Sequence, residues 1–145
     1  MSVEQIARDF VVNMVNVNKV KSMVTTDAMA SGGVLPQAIP LVEAMKVASG
    51  LAVAFPDIKF DIQKVTVKGN EATVDALWSG TNTGTFNLPI PGMAPFPPTG
   101  KKVLVKDSYI VTVQGDKVSH LMVESPADGG IPAALAQIGI KMPVM

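Results

Sequence analysis

The chain contains no cysteine, and histidine, arginine, tryptophan and tyrosine each occur only once. Without cysteine it can form no disulfide, no thiolate nucleophile and no thiolate-bound zinc site. With a single histidine, any metal site would depend mostly on carboxylates, and we predict no metal and no cofactor.

Charge of one sign and long apolar runs are also missing. Twelve basic and twelve acidic side chains cancel, whereas a nucleic-acid-binding domain usually carries a basic patch. No apolar stretch reaches the ~18 residues of a membrane span, and the first residues lack the basic and apolar regions of a signal peptide. We therefore expect a cytoplasmic protein that binds neither nucleic acid nor membranes.

What remains is a chain of 145 residues in which 48% are hydrophobic. That length suits one typical domain with a real core. No repeat and no linker interrupts it, so residues 1–145 are predicted to form a single domain.

The first part of the chain has helical periodicity. Ser2 and Gln5 have the spacing of a capping box, and a stripe of apolar residues three or four apart runs from Ile6 to Val24. Residues 25–40 contain two glycines and two prolines and are predicted to be loop. A second helix is expected to begin at Pro40 and to end before Pro56.

After residue 59 the period becomes alternating, which predicts strands over 60–67, 71–83, 103–114 and 118–124. The short turns at Gly69 and Gly115 predict antiparallel hairpins. Residues 87–100 contain five of the eleven prolines and are predicted to form a loop over the rim of the fold. A short helix is expected after Ile131. Helices followed by antiparallel strands indicate an α+β fold with the helices on one face of a curved sheet.

Several segments resemble the SnoaL-like polyketide cyclases of the NTF2-like superfamily. They are 55–57 (Phe-Pro-Asp), 78–84 (Trp-Ser-Gly-Thr-Asn-Thr-Gly), 97–103 (Pro-Pro-Thr-Gly-Lys-Lys-Val), the turn 115–118 and the tail 131–143, and they occur in the family's order. The resemblance covers nearly the whole chain. It implies an NTF2-like cone around a small apolar or polycyclic ligand, and a homodimer formed through the open face of the sheet. Two positions depart from the family pattern, because Asn82 and Leu121 stand where members commonly carry histidine and tryptophan.

Asp107 is the sharpest chemical signal. Alternation along 103–114 places it, with Tyr109, on the face that otherwise carries valines. Burial disfavours an ionised carboxylate and raises its pKa toward the range useful for proton transfer. The resemblance implies an aspartate near this position as the acid/base of an intramolecular aldol step. His120 and Tyr109 are the predicted catalytic partners, His120 by bonding Asp107 or a substrate carbonyl and Tyr109 by donating to an enolate oxygen.

Aromatic, amide and methionine side chains are the candidates for ligand contact. The predicted substrate-binding residues are Trp78, Asn82, Phe55, Phe86, Met14, Met93 and Met122. Each apolar member of this set could equally belong to the ordinary core, and Asp107 could be a structural carboxylate.

Two functions stay open at this point. One is a cofactor-free enzyme that removes a proton next to a carbonyl, as a cyclase or a ketosteroid-isomerase-like enzyme does. The other is a non-catalytic binding protein for a small apolar ligand, or an accessory subunit. Epoxide hydrolysis, a further activity of this scaffold, relies on an arginine between two aspartates. It is disfavoured because Arg8, the only arginine, belongs to the first helix.

Overall fold

The computed structural model describes residues 2–32, 37–85, 95–126 and 129–139, and every structural statement below concerns these residues. Four helices and six strands follow one another in the order α1, α2, β1, β2, α3, β3, β4, β5, β6, α4. The α+β class predicted from the sequence is confirmed. None of the described helices is long and apolar enough to cross a lipid bilayer.

The predicted first helix is two helices, α1 (Val3–Val12) and α2 (Val17–Lys21). Ser2 and Gln5 form the expected capping box. The break occurs because Asn16 has left the helical conformation and its side chain accepts a hydrogen bond from the backbone of Lys19, which starts α2. The apolar stripe continues across the break, so Met14 and Val20 are both buried.

Residues predicted to be loop form strand β1 (Val24–Gly32), which is followed by the two-residue strand β2 (Ile39–Pro40) and by α3 (Leu41–Ala54). The sequence prediction was wrong for β1 because its inward side chains are small. Only Val24, Ala28 and Ala30 are buried along it. Its pairing register also shifts between Val24 and Met29, so no regular alternation is left to detect.

The remaining strands lie close to their predicted positions: β3 (Lys59–Lys68), β4 (Glu71–Thr81), β5 (Lys102–Gln114) and β6 (Lys117–Val123). Together with β1 and β2 they form one sheet in the order β2-β1-β6-β5-β4-β3. Neighbouring strands are antiparallel except β1 and β6, which run parallel. The sheet is therefore mixed, where the sequence predicted a wholly antiparallel one.

The helices cover one face of the sheet, which we call the helix-covered face, and leave the outer face to the side chains of Asp75, Leu77, Ser108, Ile110 and Thr112. Two apolar clusters fill the helix-covered face. The larger joins α1 and the first half of α3 to β1, β4 and the second half of β5. The smaller joins the end of α3 to Trp78, the start of β5 and α4 (Gly130–Gln137).

The start of β5 extends beyond the end of β6, and a side chain replaces the missing strand neighbour. Gln137 of α4 accepts from the backbone N–H of Leu104 at 2.8 Å and donates to the carbonyl of the same residue at 2.8 Å. This pair of bonds satisfies the backbone at the sheet edge. It also fixes α4 beside the half of β5 that leads to Asp107.

Candidate functional site around Asp107

Asp107 lies on the helix-covered face of β5, at the border between the two apolar clusters. The buried valines that precede it, Val103 and Val105, belong to the smaller cluster. Tyr109 and Val111, which follow it on the same face, belong to the larger. Ala76 of β4 is its cross-strand neighbour. With 8% of its surface exposed, Asp107 is the one charged residue buried in the described core.

The two carboxylate oxygens of Asp107 have different surroundings. Oδ1 accepts from the backbone N–H of Ser108 at 3.0 Å and from the hydroxyl of Ser125 at 2.9 Å. In the described part of the chain, Oδ2 has one partner, the hydroxyl of Tyr109 at 3.5 Å, which is long for a bond between two oxygens. Burial raises the pKa of Asp107, and the donors from Ser125, Ser108 and Tyr109 oppose that rise without cancelling it.

Tyr109 is buried with its ring edge-on to Phe60, at 6.5 Å between centroids. Burial raises the pKa of Tyr109 well above its usual value, and the nearby charge of Asp107 adds to the effect. The phenol therefore stays protonated and can donate a hydrogen bond. The structure brings Asp107 and Tyr109 together, as the alternation of β5 predicted.

Ser125 was not recognised as a site residue in the sequence. It follows the end of β6, in a segment that continues along β5 through a bond from the N–H of Glu124 to the carbonyl of Ser108 at 2.9 Å. Counting back from the Gly115 turn in a regular hairpin would place Glu124 opposite Asp107. Because Val113 pairs with Val118 but Thr112 pairs with His120, Ser119 is an extra residue, and the bulge moves Ser125 into that place.

The same bulge overturns the predicted partnership of His120 with Asp107. Beyond the bulge, His120 and Met122 pair with Thr112 and Ile110, which belong to the outer face. His120 contacts the hydroxyl of Ser31 on β1, at 3.4 Å from Nε2. A regular strand would have kept His120 on the same face as the buried Val118, so the insertion of one residue reverses its side.

Asn82 is fully buried, but it is not free to orient a ligand carbonyl. Its amide nitrogen donates to the carbonyls of Ala54 and Gly84 at 3.1 and 3.0 Å. Its oxygen accepts from the backbone and the hydroxyl of Thr99 at 2.9 and 2.8 Å. These four bonds use the full capacity of the amide. Asn82 therefore joins α3 to the two described ends of the proline-rich segment.

The apolar residues predicted to contact a ligand fall into three groups: some lie in the core, one lies on the outer face, and two lie outside the described residues. Trp78 and Phe55 pack edge-to-face at 5.6 Å between centroids in the smaller cluster, and Met14 lies in the larger one. The structure thus places these three in the core, which the sequence left open as an alternative to ligand contact. Met122 is half-buried on the outer face. Phe86 and Met93 fall outside the described residues.

A cleft of about 900 Å³ borders Asp107. Its walls come from β3, β4, β5, β6 and the segment after β6, and combine polar with apolar side chains. The lining residues are Gln63, Asp75, Ala76, Leu77, Lys106, Asp107, Ser108, Val123, Glu124, Ser125 and Pro126. Asp75, Leu77, Lys106 and Ser108 belong to the outer face, so the cleft lies largely on that face, and Asp107 and Ser125 also contribute to its lining. A wholly apolar pocket inside the core stays a prediction.

The SnoaL-like polyketide cyclase family model matches residues 3–122. The chain therefore belongs to that family, as its motifs indicated. The search of curated proteins gave no match.

Solved structures with this fold agree over nearly the whole chain. One, from Jannaschia sp. CCS1, is described as a proposed SnoaL-like polyketide cyclase; at 19% identity it superposes with a TM-score of 0.73, covering 94% of this chain and 90% of its own. IdmH of Streptomyces antibioticus, a proposed polyketide cyclase, superposes with a TM-score of 0.73 at 15% identity, covering 97% of this chain and 100% of its own. A protein from Catenulispora acidiphila with a ketosteroid-isomerase-like fold, in complex with trimethylamine, superposes with a TM-score of 0.67 at 15% identity. The match covers 95% of this chain and 97% of that one. At these identities the likeness shows the NTF2-like fold.

Proposed function

We propose that the protein is a cofactor-free enzyme that removes a proton next to a carbonyl group in a small apolar or polycyclic substrate. The observation that carries this proposal is the unequal bonding of Asp107, a buried carboxylate with a raised pKa and one oxygen almost without a partner. Buried side-chain polar atoms normally have a hydrogen-bond partner, and a distance of 3.5 Å makes the partner of Oδ2 a weak one. Membership of the SnoaL-like cyclases supports the same class of reaction.

In the proposed reaction ionised Asp107 takes the proton from the carbon next to the carbonyl. The electron pair of that C–H bond moves to the carbonyl oxygen and forms an enolate, and the hydroxyl of Tyr109 donates a hydrogen bond to it. The enolate then attacks a second carbonyl within the substrate, or takes a proton back at another carbon. General base catalysis of this kind contributes about 10²- to 10⁴-fold to the rate.

Exchange of substrate hydrogen for deuterium tests this step without knowledge of the natural substrate. A panel of cyclic and polycyclic ketones is incubated in D₂O with the protein, and incorporation is followed by mass spectrometry. We expect incorporation with the wild type and a loss of about 10²- to 10⁴-fold in Asp107→Asn. Asp75→Asn is the matched control, since Asp75 lines the same cleft but bonds Ser108 on the outer face.

Equal incorporation by wild type and Asp107→Asn would show that Asp107 is not the base. If ligands bind, as measured by NMR shift changes, and none exchanges, the alternative function is favoured: a binding protein or an accessory subunit. One observation supports that alternative. His120 faces away from Asp107, so Tyr109 is the only predicted partner left beside the carboxylate.

The proposed assembly is a homodimer through the outer face of the sheet. Leu77, Ile110 and Met122 lie half-buried on that face, and Leu104 at its edge is 60% exposed. Leu121 does not contribute to this face, because the bulge turns it into the core. Sedimentation analysis tests the proposal, and a monomer at micromolar concentration would contradict it.

A further inference from the structure

The hydroxyl of Ser125 limits where a proton can go on Asp107. An ionised carboxylate oxygen offers about two lone-pair sites. On Oδ1 both sites are taken, by the N–H of Ser108 and the hydroxyl of Ser125, at 3.0 and 2.9 Å. Among the described residues, the one hydrogen-bond partner of Oδ2 is the hydroxyl of Tyr109 at 3.5 Å. Protonation of Oδ1 would break a good hydrogen bond, whereas protonation of Oδ2 would not.

The two donors to Oδ1 come from different parts of the chain. Ser108 is the next residue of β5, so its N–H is part of the strand itself. Ser125 belongs to the segment that the bulge at Ser119 brings opposite Asp107, and it borders the cleft. Nearby, Gly129 approaches the carbonyl of Lys106 so closely that a β-carbon would collide with it. That contact holds the far end of the segment against β5.

Among the described residues, few charged groups lie where they could affect the ionisation of Asp107 as Ser125 does. Its cross-strand neighbour is Ala76, and α4 carries no charged residue. The charged residues of α1, Glu4, Arg8 and Asp9, are exposed. Lys106 and Asp75 belong to the outer face. Within the described ranges, Tyr109 is therefore the titratable group that bonds the carboxylate.

From this geometry we infer that Ser125 is the positioning residue of Asp107, occupying Oδ1 and leaving Oδ2 as the atom that takes and returns the substrate proton. The inference rests on the proposed proton transfer. In that step the C–H bond breaks, an O–H bond forms on Oδ2, and the electron pair goes to the carbonyl oxygen. Ser125 keeps the carboxylate oriented and its anion stabilised while this happens.

The test compares three variants by ¹³C NMR titration of the Asp107 carboxyl and by the pH profile of deuterium exchange. Ser125→Ala removes the donor to Oδ1, so the pKa of Asp107 is expected to rise and the exchange profile to move to higher pH. Ser125→Thr keeps a hydroxyl and is expected to restore both. Ser108→Ala is the matched control, because its hydroxyl bonds Asp75 and its N–H to Asp107 remains.

An unchanged pKa in Ser125→Ala, or an equal shift in Ser108→Ala, would overturn the inference. A shift confined to Ser125→Ala, together with no exchange by any protein, would support the role of Ser125 at the carboxylate and would contradict the proposed enzymatic function. A slower exchange in Ser125→Ala with an unchanged pH profile would point to a merely structural role and contradict the inference.

Discussion

Asn82 and Asp107 are the two polar residues buried in the described core, but the regions around them differ. Asn82 lies where β4 meets the proline-rich segment, and its amide makes four hydrogen bonds. Asp107 lies in the middle of β5, and one of its oxygens is almost without a partner. The first region is satisfied within the protein, whereas the second leaves a charged oxygen for something else to bind.

The two regions also differ in the carboxylates that belong to them. Asp57, near Asn82, accepts from the backbone and the hydroxyl of Thr81 at 2.6 and 2.9 Å, and these bonds lower its pKa. Burial has the opposite effect on the pKa of Asp107. A hydrogen-bonded carboxylate that fastens a turn contributes to folding, while one desolvated without full compensation opposes it. This contrast separates a structural region from a candidate site inside one small domain.

The largest change in stability is expected from Asn82→Ala. Four hydrogen bonds would be lost, although the buried carbonyl of Ala54 would keep the bond from the N–H of Gly84. Each lost bond costs about 0.5–1.5 kcal/mol. We expect the free energy of unfolding to fall by about 3 kcal/mol or more. Urea denaturation measures it.

Asn18→Ala provides the control for Asn82, since Asn18 is exposed on α2. Its stability is expected to stay within about 0.5 kcal/mol of wild type. If the two variants were equally stable, the hydrogen bonds of Asn82 would not be what holds this region together.

A smaller effect is expected from Thr99→Val. The bond from the Thr99 hydroxyl to Asn82 is removed, together with the long bond of 3.3 Å that this hydroxyl accepts from the N–H of Lys101, while the backbone bond from Thr99 to Asn82 remains. One such bond contributes about 1 kcal/mol, so the free energy of unfolding should fall by about that amount. Combining this change with Asn82→Ala should add little, because both remove the same contact. Fully additive losses would contradict the shared contact.

The pH dependence of stability should have opposite signs in the two regions. Asp107 holds its proton more firmly in the folded chain. Its contribution to stability therefore falls as the pH rises from about 4, its pKa in the unfolded chain, to its raised pKa in the folded chain. Asp57 has a lowered pKa, so its contribution is present above about 4 and is lost as pH falls through the folded value.

Unfolding measured across this range in wild type, Asp107→Asn and Asp57→Asn checks the signs. In Asp107→Asn the free energy of unfolding should no longer decline as the pH rises toward neutral. In Asp57→Asn it should no longer fall as the pH becomes acidic. The same sign for both carboxylates would break the comparison.

Much of the fold could be predicted from periodicity. The helical spacing of apolar residues between Ile6 and Val11, and the alternation along β4 and β5, indicate directly which side chains are buried. The strand β1 escaped because its buried residues are small. The bulge at Ser119 carries no sequence signal of its own, and it decided the sides of His120, Leu121 and Ser125. Asp107 and Tyr109 lie on β5, whose own alternation the bulge in β6 does not change, so the face they share was predictable.

The role of Asn82 was beyond the sequence for another reason. Three of its four bonds depend on where Ala54 and Thr99 lie in space, and these residues are 28 and 17 positions away along the chain. The same holds for Trp78, whose place in the core depends on α3 and α4 together. Residue type and spacing identified both as inward-facing, but which inward side chains touch a ligand is a property of the packing.

The free energy of unfolding of Asp107→Asn at neutral pH tests the central contrast most directly. An asparagine can accept the bonds of Ser108 and Ser125 while it removes the desolvated charge. The account predicts a variant as stable as wild type, or more stable, with its proton transfer lost. A loss of stability as large as that of Asn82→Ala would contradict it, because Asp107 would then be a structural carboxylate like Asp57.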